Sequence, residues 1–518
     1  MKTKLYLIAS LLCGMTVFTG CGGDNEPDFQ KTDPSKTNNN NNNNNTTPTP
    51  VEPTVSEETK NAKEFVVDVA GEIYLWSDQI ASALKSYDPK TNQEVIDNWT
   101  KIRYKQGNIE DKWSIVTDDF ASMYNNTQNI STTYGWDGTF YYADSSHSSV
   151  CFEVEVVYPG SPAADAGIKR GDLIITWNGK KLTTNNLEDM FYSESGIFGY
   201  GHGKLEVEAT ADLVAAKEFY ENPIIAKKIF DVNDKKVGYI HYTSFDKQSI
   251  DPLKEISKEF KAAGVKELIL DLRYNGGGLV KTEETMAAMY GPWADKDNKL
   301  VYQQDVYNAR YNKAWANSRF HYLNVYDDDN GKEQNYITPE YNIGLDKIYA
   351  IVSKGSASAS ESILVGLMPY VDIDLVGSEN THGKYCTGWV LSAYNWYEMT
   401  GENKKPEGLS NWGFYVMVSS YADKDGNCPI MPNGFTPNIP AKDNPADGYA
   451  LGDENESMLK VALEAAGKTD TKADSRALVE RPALGAAVKN QPQKRGFGMR
   501  VDDRPIIKKQ LEQVVLAE

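Results

Sequence analysis

Three serines in a run of small residues could supply a nucleophile. They lie in the segment Gly355–Glu361, where an apolar stretch gives way to a helical pattern. A serine at the N-terminus of a helix gains from the partial positive charge there, and the N–H that follows it can face a developing oxyanion. Further along the chain, Lys384 follows Gly383 and could be the base that activates such a serine. This combination predicts a serine hydrolase that has no need of a catalytic histidine.

Two other motifs that could account for this region fail on their spacing. The segment Gly355–Ala359 does not fit G-x-S-x-G, so an α/β-hydrolase serine turn is not supported. Between Gly377 and Gly383 there are five residues rather than four, and a tyrosine follows Lys384, so a phosphate-binding Walker A loop is excluded. The five histidines form no HExxH, which leaves zinc protease chemistry without support. We therefore expect neither a cofactor nor a metal.

The N-terminus predicts export and a lipid anchor. Two lysines precede an apolar run from Leu5 to Phe18, which is too short to span a bilayer but suits the core of a signal peptide. With the following Thr19, Gly20 and Cys21, the run resembles a bacterial lipobox, which implies removal of residues 1–20 and lipid attachment to Cys21. An ordinary signal peptide with an incidental cysteine is the alternative. We expect a cell-envelope protein that is anchored to the membrane through Cys21, at the periplasmic face or the outer-membrane surface.

Composition separates a linker from the folded body. Residues 21–58 are rich in Asn, Thr and Pro and include eight consecutive asparagines, so they cannot bury a core and are expected to form a disordered tether. Residues 22–26 resemble the export signal of Bacteroidetes surface lipoproteins. The chain of 518 residues has a net charge of −19 at pH 7, so nucleic acid is not expected as a partner. Three cysteines remain in the body, too few for a disulfide framework, although one pair could form: Cys151, Cys386 and Cys428.

Hydrophobic patterning divides the body into three parts and a tail. Residues 59–130 are predicted to be mainly helical, because apolar residues recur at three- and four-residue steps in one stripe. Residues 131–212 change to short alternating strands. Residues 213–465 alternate strands with helices, which predicts parallel strands, right-handed crossovers and a site at the carboxyl ends of the strands. Residues 466–518 carry basic clusters and could be a docking arm, an autoinhibitory tail or a helix packed on the body.

One segment of the strand-rich part resembles a known peptide-binding module. Residues 159–179 are similar to a bacterial PDZ domain, a fold that binds an extended peptide at a sheet edge and holds its terminal carboxylate on backbone N–H groups. The resemblance places that carboxylate loop near Gly135, Trp136 and Gly138. Asp137 in the same loop would repel a carboxylate, so a PDZ domain that is structural or gates access is the alternative.

Four motifs in order resemble the tail-specific, or carboxyl-terminal processing, proteases of peptidase family S41. They are the PDZ-like segment, the glycine-rich loop Asp271–Gly278, the serine run and the Gly-Lys pair. The resemblance implies that Ser358 is the nucleophile and Lys384 the general base. A lysine acts as a base only when neutral, so its pKa must fall from about 10.4 toward 7 or 8 through burial.

The resemblance also implies the fold and the remaining site groups. The expected fold is α/β (α+β multidomain), with an N-terminal helical segment, a PDZ-like β domain and a ClpP/crotonase-like catalytic core built on a parallel or mixed sheet. The glycine loop lets backbone N–H groups approach a tetrahedral intermediate, and Gly277 is expected to act with the N–H of Ala359 as the oxyanion donors. Asp271 and Arg273 are expected to form a structural ion pair rather than to take part in catalysis.

The chain departs from the family pattern next to the lysine. Many members carry a glutamine four residues after the lysine, where this chain has Gly388, so another group must position Lys384. His382 is one candidate, although a loop histidine of this kind can equally be solvated.

These features predict a serine endopeptidase that hydrolyses unfolded or C-terminally exposed polypeptide segments in the cell envelope. The alternative is a catalytically inactive, PDZ-containing, peptide-binding lipoprotein, for which Gly388 and Asp137 are the warning signs. The sequence leaves the cleavage preference, the natural substrate and the oligomeric state open.

Overall fold

The computed structural model describes a folded body and parts of the C-terminal tail. The described residues are 55–469 apart from 108, 317, 318, 329 and 403, together with 482, 484–489, 491–492 and 499–503. The predicted signal peptide, Cys21, nearly all of the predicted tether and much of the tail lie outside the described residues. Among the helices of the described ranges, none combines the length and the apolar character needed to cross a bilayer.

The N-terminal part is a small helical unit with short strands. Its elements are α1 (Glu57–Glu72), α2 (Ser77–Lys85), α3 (Asn92–Ile102), β1 (Lys105–Gln106), β2 (Ile109–Glu110), β3 (Ile115–Thr117) and α4 (Phe120–Thr127). The apolar stripe predicted for this part is divided between α1 and α2. Between them the backbone N–H of Leu75 donates to the carbonyl of Met417 (2.9 Å) in the catalytic part. The three short strands β1, β2 and β3 lie where helix was predicted, and β3 pairs with a long strand of the catalytic part, residues 413–422.

The strand-rich part is an antiparallel sheet. Its elements are β4 (Ile130–Thr133), β5 (Trp136–Tyr142), β6 (Val150–Val157), α5 (Pro162–Asp165), β7 (Asp172–Trp177), β8 (Lys180–Lys181), α6 (Leu187–Phe191), β9 (Ser195–His202), β10 (Ala209–Val214) and β11 (Ala216–Tyr220). The sheet has the order β10-β9-β7-β6-β5, so β5 is an edge strand. The single helical turn α5 begins after Ser161, whose hydroxyl accepts the N–H of Ala164 (3.2 Å), with Pro162 at the first helical position.

The catalytic part contains two sheets. Its elements are β12 (Ile224–Val232), β13 (Lys235–Tyr242), α7 (Ile250–Ala262), β14 (Glu267–Asp271), β15 (Gly278–Leu279), α8 (Val280–Tyr290), β16 (Val301–Val306), α9 (Ala309–Ala314), β17 (Phe320–Tyr322), β18 (Val325–Asp327), β19 (Glu333–Asn335), β20 (Lys347–Ile351), α10 (Ala359–Leu367), β21 (Asp372–Gly377), β22 (Cys386–Ser392), α11 (Ala393–Met399), β23 (Gly413–Ala422), β24 (Ile439–Pro440), α12 (Ser457–Ala465) and β25 (Arg500–Val501). One sheet has the order β12-β13-β14-β20-β21-β24, and all of its pairs after β12 are parallel. The other has the order β15-β25-β22-β23-β16-β17-β18-β19.

The parallel sheet brings three chemical loops to one edge. Asp271 at the end of β14 pairs in register with Ile351 of β20, and Ile351 pairs with Val376 of β21. The glycine loop, the serine run and the lysine loop follow these three strands. The mixed α/β multidomain fold is therefore confirmed, with the chemically interesting loops at the carboxyl ends of parallel strands.

Candidate active site

The three serines of the run have different surroundings. Ser356 donates its hydroxyl hydrogen to the carbonyl of Leu272 (2.8 Å), and Ser360 donates to the carbonyl of Asn275 (2.8 Å). Both hydroxyls therefore tie the start of α10 to the glycine loop. The Oγ of Ser358 makes no hydrogen bond to the described residues, although the side chain is fully buried. Of the three hydroxyls, the middle one is the one left available for chemistry.

Ser358 also has an uncommon backbone conformation. It lies at φ 65° and ψ −115°, immediately before the first residue of α10, Ala359. A residue with a Cβ is strained in this region, at a cost on the order of 1–3 kcal/mol. Such strain is tolerated where the surroundings hold a turn firmly, and it is often found at functional positions.

Glu361 joins the serine turn to the lysine loop. Its buried carboxylate accepts the backbone N–H of Ser358 (3.1 Å), Gly383 (2.6 Å) and Lys384 (2.8 Å), and also the hydroxyl of Thr381 (2.5 Å). Burial raises the pKa of Glu361 to about 7, against the opposing effect of these four hydrogen bonds. One side chain thus fixes the distance between the two loops that carry the predicted nucleophile and base.

Lys384 is buried in a pocket that favours its neutral form. Burial lowers the pKa of its amine to about 7, the charge of Arg500 acts in the same direction, and the carboxylates of Asp111 and Glu361 oppose it. Its Nζ donates to the hydroxyl of Tyr415 (2.8 Å). A lysine with this pKa can act as a general base near neutral pH, which is the condition that the sequence analysis required.

Tyr415 occupies the space beside Gly388. A Cβ added to Gly388 would lie 2.4 Å from Cε2 of Tyr415 and 2.6 Å from Cε of Met417. No side chain fits at position 388 unless the tyrosine moves. The group that contacts Lys384 therefore comes from β23, the strand paired with β22.

The glycine loop packs directly on the serine turn. Gly277 has φ 116°, and a Cβ built on it would lie 2.7 Å from the Cβ of Ser358 and 3.1 Å from its Oγ. Only glycine allows this approach. The N–H of Gly277 donates to the side-chain oxygen of Asn275 (2.9 Å) in this structure, so the pairing of Gly277 with Ala359 as oxyanion donors stays a prediction.

Buried ion pairs hold the other end of the glycine loop. Arg273 contacts Asp271 (2.7 Å), as the sequence predicted, and also Glu456 (2.7 Å). Arg170 of the PDZ-like part donates to the hydroxyl of Tyr274 (2.5 Å) and forms an ion pair with Asp443 (2.6 Å). These contacts fix the PDZ-like part against the loop that carries Gly277.

The predicted carboxylate loop of the PDZ-like part is tightly packed. Trp136 lies in the hydrophobic core, Gly135 packs against Ser161, and Gly138 packs against the backbone of β6. Asp137 accepts a hydrogen bond from the hydroxyl of Tyr158 (2.7 Å). Because the Trp136 ring is buried in the core, it is not available to contact a peptide. Peptide binding at Gly135, Trp136 and Gly138 stays a prediction.

A cleft connects the edge of β5 with the serine and glycine loops. It has a volume of about 1070 Å³, and residues from both parts line it, including Gly138, Tyr141, Gly277, Gly355 and His382. Burial lowers the pKa of His382 to about 4, helped by the charge of Lys384, so this histidine is neutral at pH 7. Among the described residues no group of His, Cys, Asp or Glu could hold a metal ion, and no disulfide joins the three cysteines of the body.

Two protein-family models match parts of this chain. Residues 236–441 match the model of peptidase family S41, and residues 153–192 match the model of a PDZ domain. Residues 236–441 therefore form a domain of peptidase family S41.

Two curated proteins are distantly similar to this chain. The carboxy-terminal processing protease CtpA of Bacillus subtilis is 27% identical over 243 residues, which are 45% of this chain and 44% of that protein. A probable CtpA-like serine protease of Staphylococcus aureus is 26% identical over 330 residues, 60% of each protein. The matched region is thus less than two thirds of either relative. A crystal structure of a putative S41 protease from Bacteroides fragilis has a TM-score of 0.57 at 20% identity, covering 78% of this chain and 96% of that one, and it supports the fold.

Sequence reasoning missed two residues of this S41 site. Glu361 had a recognisable signal, since a glutamate three residues after a serine at a helix start is the pattern of a capping box. Tyr415 had no such signal. It lies 31 residues beyond Lys384, and only the pairing of β22 with β23 brings the two side chains together.

Proposed function

We propose that this protein is a serine endopeptidase that hydrolyses peptide bonds in unfolded or C-terminally exposed protein segments of the cell envelope. Ser358 is the nucleophile and Lys384 is the general base. The observation that carries the proposal is the burial of Lys384, which brings its pKa to about 7 in a loop that Glu361 ties to the backbone of Ser358. Membership of family S41 supports the same reaction class.

The reaction follows from these groups. Neutral Lys384 takes the proton of Ser358 Oγ as that oxygen attacks the carbonyl carbon of the peptide bond. The resulting oxyanion faces backbone N–H groups of the serine turn and the glycine loop. The lysine then gives its proton to the departing amine, and an ester on Ser358 remains. A water molecule, deprotonated by the same lysine, hydrolyses this ester and restores the serine.

In the described conformation, the proposed nucleophile and the proposed base are not hydrogen-bonded to each other. Lys384 Nζ donates to Tyr415, and Ser358 Oγ makes no hydrogen bond to the described residues. A change of side-chain rotamer is therefore needed before proton transfer. Enzyme sites without substrate often show catalytic hydrogen bonds that form only in the complex.

The shape of the cleft supports an extended polypeptide as the substrate. The cleft runs between the edge of β5 and the serine loop, and strand edges bind extended chains through backbone hydrogen bonds. A folded protein does not present such a segment, whereas an unfolded region or a free C-terminus does. The proposed place at the envelope membrane rests on the lipobox-like residues that end in Cys21.

The decisive experiment compares residues 22–518 with the variants Ser358→Ala and Lys384→Ala on an unfolded protein substrate, with new termini identified by mass spectrometry. Reaction with a serine-directed fluorophosphonate provides a second measurement. Ser378→Ala is the matched control, because Ser378 is an exposed serine that lines the same cleft. We expect cleavage and labelling by the parent and the control only. Equal, negligible cleavage and no labelling in all four proteins would instead favour the inactive, peptide-binding lipoprotein.

A further inference from the structure

The described tail residues extend the edge of the PDZ-like sheet. Residues 484–489 run antiparallel to β5, with Gly485 N–H donating to Tyr142 O (2.8 Å) and Tyr142 N–H donating to Ala486 O (3.1 Å). Val488 N–H donates to Phe140 O (2.9 Å), and its side chain is buried in the core of the PDZ-like part. The tail thus adds a strand to the sheet, as an extended peptide ligand does.

A second part of the tail lies at the proposed nucleophile. Strand β25 is inserted between β15 and β22, with Arg500 paired in register with Gly278 and Val501 with Gly388. A Cβ built on Gly277 would lie 2.8 Å from the carbonyl oxygen of Met499 and 3.1 Å from Oγ of Ser358. The carbonyl group of Met499 therefore lies beside Gly277 and near the serine turn, where the carbonyl of a bond to be cleaved is expected.

Arg500 fills a pocket that matches a basic side chain. Its Nε donates to Glu283 Oε2 (2.7 Å), and its Nη2 donates to Gln303 Oε1 (3.1 Å). Its Nη1 contacts the hydroxyl of Thr387, and the guanidinium lies 4.6 Å from the ring centre of Tyr421. Glu283 and Gln303 are themselves buried in the described structure. A buried carboxylate with hydrogen-bond acceptors and an aromatic face around it is the environment expected for a guanidinium or an ammonium group.

The docked tail also engages the partner of the lysine. The hydroxyl of Tyr415 accepts the N–H of Arg500 (3.0 Å), donates to the carbonyl of Arg500 (3.0 Å) and accepts the Nζ of Lys384 (2.8 Å). With the tail in place, the lysine is directed to Tyr415 and Ser358 Oγ has no hydrogen bond to the described residues. The docked tail thus accompanies a conformation in which Ser358 Oγ makes no hydrogen bond to Lys384.

We propose that residues 484–489 and 499–503 occupy the path of the substrate, and that the pocket around Glu283 selects an arginine or lysine directly after the scissile bond. The tail is then a tethered competitor that must leave before a protein substrate can bind. A segment on the same chain acts at an effective concentration on the order of millimolar, so it competes well with dilute substrate. This inference rests on the proposed peptidase function and deepens it.

The first test releases the tail at its PDZ end, away from the chemistry. In the full chain, Val488→Asp places a charge in an apolar core. We expect faster amide exchange over residues 484–489 and 499–503, and at least a fivefold rise in both cleavage of an unfolded protein and fluorophosphonate labelling of Ser358. The matched control is Val214→Asp, because Val214 lies in the same PDZ-like part and is 70% exposed. It should change neither the exchange nor the rate.

The second test measures selection by the pocket. Peptides that differ only in the residue after the scissile bond (Arg, Lys, Ala or Glu) are compared as substrates of the Val488→Asp protein. We expect at least a tenfold preference in kcat/KM for the two basic residues, and its loss when Glu283→Gln is added. Glu284→Gln is the control, because Glu284 is the adjacent buried carboxylate but contacts Tyr336 instead of Arg500.

The outcomes separate this inference from the proposed function. If the tail amides exchange like those of a free peptide in the parent, the docked tail is overturned. The tail amides could instead be protected while Val488→Asp leaves the cleavage rate unchanged, or basic residues could show no preference. Either result would mean that β25 is a structural strand, and it would overturn the proposal that the tail competes with substrate. The proposed peptidase function would not be affected. If no protein cleaves or is labelled, the proposed function fails, and the competition fails with it. Ser358-dependent cleavage of the chain between Met499 and Arg500 would support the placement.

Discussion

The amine of Lys384 lies 2.8 Å from the hydroxyl of Tyr415, across the paired strands β22 and β23. The aromatic ring takes the space in which a side chain at position 388 would otherwise lie. Gly388 is therefore more than the absence of the glutamine that the family resemblance leads one to expect at this position. The glycine makes room for a tyrosine that contacts the lysine from the neighbouring strand.

Tyr415→Phe should lower activity without unfolding the protein. The ring would still fill the space beside Gly388, but Lys384 would lose its hydrogen bond to the Tyr415 hydroxyl and sample more rotamers. Misplacement of a catalytic group by about 1 Å can cost on the order of 100-fold in rate, so we expect kcat to fall 10- to 100-fold. The measurement is best made in the Val488→Asp protein, so that loosening of the tail does not offset the loss.

Tyr290→Phe is the control for this substitution. Tyr290 is also buried, and its hydroxyl has no hydrogen bond among the described residues. Its activity should equal that of the parent. Equal activity of Tyr415→Phe and Tyr290→Phe would show that the tyrosine does not position the lysine.

The pH dependence of activity should report the lysine. Burial lowers the pKa of Lys384 to about 7, and only the neutral amine can accept the serine proton. The value of kcat/KM should therefore rise about tenfold per pH unit below pH 7 and level off above about pH 8. A profile measured from pH 5 to 10 checks this. A rising limb centred near pH 10 would mean that the lysine titrates as if it were exposed.

The strain at Ser358 predicts different stabilities for two inactive variants. At φ 65° and ψ −115° a glycine backbone is not strained, whereas alanine keeps the Cβ that causes the strain. We expect Ser358→Gly to unfold at higher denaturant than Ser358→Ala, by about 1 kcal/mol in the free energy of unfolding. Urea titrations of both proteins measure this. If Ser358→Ala were the more stable, the turn would have to relax in solution.

Glu361→Gln should reduce both stability and activity. The glutamine amide has one oxygen and one NH₂ group in place of two carboxylate oxygens. Its NH₂ group cannot accept the backbone N–H groups that now donate to one of those oxygens, so these donors would lose their acceptor. Unsatisfied buried donors cost about 1–3 kcal/mol, and displacement of the lysine loop should cost on the order of 100-fold in kcat. Thermal unfolding and single-turnover rates provide the measurements. The exposed Glu255 gives the control, Glu255→Gln, which should change neither quantity.

Local patterns in the sequence were sufficient to predict much of the fold. The strand–helix alternation of residues 213–465 predicted parallel strands, and the carboxyl ends of β14, β20 and β21 do meet at one edge. The family resemblance to S41 peptidases and to PDZ domains is confirmed by the family models. These features depend on residues that are near each other in the chain, where periodicity and turn chemistry act directly.

The N-terminal helices show where such patterns stop being informative. Apolar residues do recur at helical spacing from Phe65 to Leu84, but this periodicity does not show that the first helix ends at Ile73. A backbone hydrogen bond from Leu75 to Met417 accompanies that break, and Met417 is far away in the sequence. A distant strand thus overrides a local helical preference.

The sequence by itself determined which loops carry the proposed chemistry. Glycines, serines and a lysine at the ends of strands are residue types that can supply backbone N–H donors, a nucleophile and a base. Only the tertiary structure decided which serine hydroxyl makes no hydrogen bond to the described residues, which tyrosine contacts the lysine, and where the described tail residues lie. Ser360 is paired with Asn275, Lys384 with Tyr415, and Arg500 with Glu283. Each pairing joins residues that are far apart in the chain. They meet because the folded chain buries its apolar surface in a closely packed core, and local conformational preference does not determine such contacts.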